Sequence, residues 1–147
     1  MNSYGSEGRP VFFSTEFLSS YQDMESVLSE SFGFLKENDF PLPDFSLELI
    51  LRESLVNAIK HGNKMDSSKS VFFKLEIVKK NNLKIVIEDE GDGFDWNGVL
   101  NREMPEVEQE HGRGLLLMKE YDYNPVWNEK GNKLTLTRMI KDPCDQN

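Results

Sequence analysis

The sequence predicts an α+β sandwich: a mixed, mostly antiparallel sheet with its helices on one face. Three observations carry this prediction. Ser70–Val78 sets Val71, Phe73, Leu75 and Ile77 against Phe72, Lys74, Glu76 and Val78, the period of two of a strand with one buried face. Leu83–Glu88 follows after only Lys79-Lys80-Asn81-Asn82, so the two runs pair as an antiparallel hairpin. Two longer stretches, Glu16–Asn38 and a second one ending near His61, space their apolar residues at helical intervals. With 147 residues the chain has the length of one domain. Helices stacked on one side of the sheet bury both sets of apolar faces.

Element by element, Met1–Pro10 is polar and rich in Gly and Ser, which predicts a flexible N-terminus. Val11–Phe13 is a short apolar run with the character of an edge strand. The first helix carries its stripe at Leu18, Tyr21, Met24, Val27/Leu28, Phe32 and Leu35, and Pro41 and Pro43 end it. Asp44 and Ser46 are N-cap residues for the second helix, whose stripe is Leu47, Ile50/Leu51, Ser54/Leu55 and Ala58, with Gly62 as a stop. After the central hairpin, Gly91–Gly98 is loop and Val99–His111 an acidic, irregular segment. Leu115–Tyr121 is a short helix opened by Gly112 and Gly114 and closed by Pro125. Val126–Asn128 and Lys133–Ile140 form a last hairpin around Lys130-Gly131-Asn132. The domain is thus expected over residues 11–141, with 142–147 as a tail.

Composition excludes several classes. There are 26 acidic and 17 basic residues, a formal charge of −9, which disfavours binding to nucleic acid or to anionic lipid. No apolar run approaches the roughly 20 residues that span a bilayer. MNSYGSEGRP lacks the basic-then-apolar pattern of a leader, so a cytoplasmic protein is expected. The single Cys144 allows no internal disulfide, and with only two histidines there is little for a zinc site.

Three segments can carry chemistry. On the second helix, Glu53, Asn57 and His61 recur every four residues and so share a face. An amide oxygen is a hard, neutral ligand for Mg²⁺. A carboxylate one turn away can accept the proton of an attacking hydroxyl. The same three residues also suit a plain solvated helix face. Directly after the second hairpin strand comes Asp89-Glu90-Gly91-Asp92-Gly93-Phe94. A carboxylate fixed at a strand end can accept the exocyclic N–H of adenine, and it would meet the O6 of guanine unfavourably. The glycines allow a tight turn and close approach to a flat ring. The alternative is an ordinary acidic turn; the alternating carboxylates and terminal Glu of a calcium loop are missing. Third, His111-Gly112-Arg113-Gly114-Leu115 places free backbone N–H groups and one guanidinium at a helix start, a place for an anion. It equally suits a glycine hinge before a core helix, and no Gly-Lys-Ser/Thr makes it a Walker loop.

Taken in this order, Glu53-x-x-x-Asn57-Ala58-x-x-His61-Gly62, Asp89-x-Gly91-x-Gly93-Phe94 and Gly112-Arg113-Gly114-Leu115 resemble the N, G1 and G2 boxes of the GHKL ATPase superfamily. The chain looks most similar to the small bacterial anti-sigma-factor serine kinases, over roughly Val11 to Arg138. The resemblance implies the Bergerat sandwich, with ATP and Mg²⁺ as cofactors. It implies Asn57 as the Mg²⁺ ligand and Glu53 as the general base. It makes Asp89 the adenine acceptor, helped by Gly91, Gly93 and Phe94. Gly112, Arg113, Gly114 and Leu115 would wrap the phosphates, and Lys60 and His61 would complete the nucleotide-binding set. The segment between Gly93 and Gly112 corresponds to the ATP lid. The implied partners are a sigma factor, an antagonist protein phosphorylated on serine or threonine, and a second copy of the chain. Gly131-Asn132-Lys133 stands where the family carries Gly-Thr. The other function considered is a non-catalytic nucleotide-binding module that acts by sequestering its partner.

Overall fold

The computed structural model describes residues 11–40, 45–79, 82–93 and 116–139. The chain runs β1 (Val11–Leu18), α1 (Tyr21–Glu37), α2 (Phe45–Val56), a π-helical turn (Asn57–Gly62), β2 (Ser70–Val78), β3 (Asn82–Asp89), a helical stretch at 116–120, β4 (Asn124–Trp127) and β5 (Lys133–Met139). The five strands form one sheet in the order β1-β2-β3-β5-β4. Every neighbouring pair is antiparallel, so this part of the sheet is not mixed. The order follows from the chain. The short β2–β3 and β4–β5 links make hairpins, and β5 then pairs with the free edge of β3, setting Ile85 opposite Leu136.

Period-two alternation decides which face is buried. Val71, Phe73, Leu75 and Ile77 of β2 are fully enclosed, and Ile85 and Ile87 of β3 join them. Phe72, Lys74, Glu76 and Val78 alternate to the other side and are only partly covered. Both helices lie on the apolar face. α1 contributes Met24, Val27, Leu28 and Leu35, and α2 contributes Leu47, Ile50, Leu51 and Leu55. The Phe13 ring joins the layers, 6.2 Å from Phe34 of α1 and 6.2 Å from Phe73 of β2. Arg52 ties the helices together at the surface, with its guanidinium donating to Glu25 of α1 and to Glu48 one turn back in α2.

The structure corrects several boundaries. β1 runs to Leu18, so Glu16–Leu18 is strand and α1 begins only at Tyr21. Leu18 extended the helical spacing by coincidence. The start of α1 is set by Ser20, whose side chain accepts the Asp23 backbone N–H at 3.0 Å. Ser46 is no cap: it is the second residue of α2 and is buried. The second helix does not continue as an α-helix to His61 but widens into the π-turn at Asn57. Pro125 lies inside β4, where an edge strand tolerates its missing N–H. The expected N-terminal and C-terminal tails, Asp44, Cys144 and the acidic segment fall outside the described residues.

Candidate functional site

One cleft opens between the α2 end of the helical layer and the sheet, with roughly 630 Å³ of space, part of it open to solvent. Its walls come from four places distant in sequence: the last turn of α2 with the π-turn, the end of β3, the stretch at 116–120, and the β4–β5 turn. Ile87, Met118, Trp127 and Leu134 make apolar surface; Ser54, Asn57, Asp89 and Asn132 supply polar groups. Apolar walls with a few convergent polar groups suit an aromatic heterocycle.

The π-turn shapes one wall. The Asn63 N–H donates to the Ala58 carbonyl at 2.8 Å and the Met65 N–H to the Ile59 carbonyl at 2.8 Å, wider rings than an α-helix closes. Asn57 and His61 both line the cleft from this wall. Gly62 is required by contact and not by a left-handed cap. A Cβ there would lie 2.3 Å from the Asp89 Cγ and Oδ2. The bare backbone lets the carboxylate lie against the π-turn.

Asp89, the last residue of β3, is held from several sides. Its N–H donates to the Asn132 carbonyl at 2.9 Å, and the Asn132 Nδ2 donates back to the Asp89 carbonyl at 2.8 Å. Its Oδ1 accepts the Gly91 N–H at 2.8 Å. Burial pushes the Asp89 carboxyl above its ordinary range; the Gly91 N–H opposes this and the neighbouring Glu88 charge adds to it. A ligand amine would supply a further donor to this carboxylate. Gly91 packs under this turn, where a Cβ would sit 1.9 Å from the Gly62 carbonyl oxygen. Gly93 has φ +85° and abuts the Lys130 carbonyl, so the turn closes onto the β4–β5 hairpin.

Asn63 was not singled out in the sequence, yet it fixes this arrangement. It is fully buried. Its Oδ1 accepts the Glu90 N–H at 2.8 Å, while its Nδ2 donates to the Ser19 Oγ at 2.9 Å and the Ser70 carbonyl at 2.9 Å. One amide thereby ties the π-turn to the residue after β1, to the start of β2 and to the Asp89 turn. These partners are up to 44 residues away, so no local pattern marks the role. Asn128 does similar work nearer the surface, where its Oδ1 accepts the N–H groups of Gly131, Asn132 and Lys133. Gly131 and Asn132, in the position of the family's Gly-Thr, line the cleft.

Of the residues expected at the site, Asn57, His61, Gly62, Asp89 and Gly93 come together around the cleft, and Gly91 packs against Gly62 and Asp89. Glu53, one helical turn before Asn57, is half-buried and stands outside the described wall, as does the exposed Lys60. Phe94, Gly112, Arg113, Gly114 and Leu115 lie outside the described residues.

A purine nucleotide suits this cleft: apolar walls for the ring, and a fixed carboxylate acceptor for an exocyclic amine. The described residues hold no group of three or more His, Cys, Asp or Glu side chains that would cage a metal. Asn57 fits a Mg²⁺ ion bound chiefly through phosphate oxygens, the usual manner of this ion in nucleotide sites.

A family model for the histidine kinase-like ATPase domain matches residues 25–138. Serine-protein kinase RsbW from Staphylococcus aureus strains JH9, Newman and Mu3 is 28% identical to this chain over 102 residues. The match covers 64% of this chain and 64% of each relative, so the chain spans about two thirds of the length of these relatives at most.

Proposed function

The chain belongs to the histidine kinase-like ATPase family, and on that premise we propose that it is an ATP-dependent protein-serine/threonine kinase that also acts as an anti-sigma factor. The observation that carries the nucleotide part is Asp89. It is a half-buried carboxylate at a strand end, facing an apolar cleft that Asn57 also lines. Asp89 accepts the adenine amine. Ile87, Met118 and Leu134 exclude water from the ring. Asn57 holds Mg²⁺, which neutralises charge on the phosphates when bound. Glu53, one turn away on α2, takes the proton from the attacking hydroxyl of the acceptor protein. Gly112, Arg113 and Gly114 supply donors to the phosphates.

The relatives' name, serine-protein kinase, supports a protein hydroxyl as the acceptor. The acceptor is an antagonist protein, and the sigma factor is held by the same domain, acting in the cytoplasm as a homodimer. Among the described residues no helix is long and apolar enough to cross a membrane.

Titration calorimetry with ATP, with and without Mg²⁺ and with GTP as control, tests the binding half. Magnesium-dependent binding selective for ATP is expected; a folded protein that binds neither nucleotide overturns the reading. Transfer of labelled γ-phosphate to an antagonist-type acceptor tests the catalytic half. Glu53→Ala is expected to keep ATP binding and to lose transfer by at least about 100-fold. Glu53 stands outside the described cleft wall, which favours a second reading: a nucleotide-binding module that acts by sequestration alone. Equal transfer in wild type and Glu53→Ala overturns the assigned base; absence of transfer in both decides for sequestration.

A further inference from the structure

Ser31 of α1 and Ser54 of α2 are both buried helical serines, and they differ in one respect. Ser31 of α1 is fully buried, and its Oγ donates to the Val27 carbonyl at 2.7 Å. This i−4 bond is how a buried helical serine ordinarily satisfies itself. Ser54 of α2 is 4% exposed, and its Oγ has no hydrogen-bond partner. It is the only buried side-chain polar atom so placed among the described residues. A buried hydroxyl left unpaired costs on the order of 1–3 kcal/mol, so native proteins leave few of them and each calls for an explanation. The position of Ser54 supplies one: it lines the cleft, together with Asp89.

We infer that the Ser54 hydroxyl is a base-reading contact, donating to the ring nitrogen N1 of the adenine whose amine Asp89 accepts. The inference rests on the nucleotide-binding reading and adds a second recognition group to it. Its chemistry is that of a matched pair. Ionised Asp89 can only accept, and the serine hydroxyl can donate to an unprotonated ring nitrogen. The amine and N1 of adenine present a donor and an acceptor side by side. Guanine and hypoxanthine present O6, an acceptor, to the carboxylate, so that contact is mismatched, while the hydroxyl can turn to accept their N1–H. The carboxylate discriminates on the amine; the hydroxyl adds a contact to the ring nitrogen that an N1-less ring cannot make. It also explains why the hydroxyl is left without a backbone bond in the free protein, since a pre-bonded donor would have to be released on binding.

The test compares wild type with Ser54→Ala, using ATP and 1-deaza-ATP, in which N1 is replaced by C–H. Titration calorimetry reads the dissociation constants, and quenching of Trp127, which lines the cleft, gives an independent signal. Ser54→Ala is expected to weaken ATP about tenfold. The two proteins should bind 1-deaza-ATP alike. The unliganded variant should melt at or above the wild-type temperature, because an unpaired buried hydroxyl has been removed. Unchanged ATP affinity in the variant overturns the inference while leaving nucleotide binding intact. An equal loss for both ligands overturns it too, since the hydroxyl would then be supporting the wall and not reading the base. A melting temperature several degrees below wild type would show that the hydroxyl already has a protein partner. Failure of the wild type to bind ATP at all is a different result: it removes the nucleotide reading, and the role of Ser54 with it.

Discussion

α1 and the cleft end of α2 are neighbouring pieces of the same helical layer, built to different rules. α1 is regular throughout. Ser20 caps its start, the Asn38 N–H and Nδ2 return to the carbonyls of its last turn, and its buried Ser31 bonds within the helix. Gly33 in its middle has no atom within 4 Å of where a Cβ would lie. The α2 end breaks each of these habits. The helix widens into a π-turn, Ser54 is buried without a partner, and Gly62 and Gly91 sit where a Cβ would overlap neighbouring atoms. Departures that cost stability collect around the cleft while the adjacent helix has none of them. Such clustering is expected where a ligand, and not the fold, sets the requirements.

The sharpest way to break this contrast is to add the same methyl group to each region. Gly91→Ala would place its Cβ 1.9 Å from a backbone oxygen that no side-chain rotation can move. Its expected cost is about 3 kcal/mol or more, with loss of nucleotide binding, read from urea unfolding and calorimetry. Stability within about 0.5 kcal/mol of wild type would show that the turn adapts freely, and the cleft end would not be the rigid region described here.

A smaller effect comes from Asp89, and its sign is informative. Burial raises its carboxyl in the folded protein above the unfolded value. The folded state therefore binds the proton more tightly. The stabilising contribution is complete below the ordinary carboxylate range and is lost as pH rises through the raised value. A half-buried carboxylate whose burial opposes its charge is a liability that recognition of a ligand would justify. Asp89→Asn retains an oxygen to accept the Gly91 N–H. It is expected to be at least as stable as wild type at pH 7, to lack that segment of the pH–stability curve, and to lose ATP-over-GTP selectivity by about tenfold or more. Parallel unfolding curves from pH 3 to 8 for the two proteins would remove the burial argument; unchanged selectivity would remove Asp89 from base recognition.

The smallest effect lies in α1. Gly33→Ala fills open space and raises helix propensity, so it should stabilise by about 0.5–1 kcal/mol and leave ATP affinity unchanged. Destabilisation, or a change in affinity, would mean that α1 is not the passive support it looks to be.

The sequence by itself determined the layers. Alternation in Ser70–Val78 and Leu83–Glu88 named the buried face of the central hairpin correctly, because the period of two is a property of the strand alone. The stripe Leu47, Ile50/Leu51, Ser54/Leu55 and Ala58 is buried as its spacing implies. The motif residues Asn57, His61, Asp89 and Gly93 could be read as a group because their order and spacing resemble a known family. Their meeting in one cleft was not legible from spacing alone.

Only the tertiary structure decided the rest. The boundary between β1 and α1 is set by pairing with β2 across more than fifty residues, which outweighs the helical spacing of Leu18. The need for glycine at position 62 comes from the Asp89 carboxylate, and the importance of Asn63 comes from partners on three other segments. That Ser54 is an unpaired hydroxyl in a cleft and not one more small residue in an apolar stripe is equally a matter of what packs against it. Local patterns report which face of an element leaves water. Which atoms then meet, and which polar group is left for a ligand, is fixed only when elements distant in sequence are brought to contact distance.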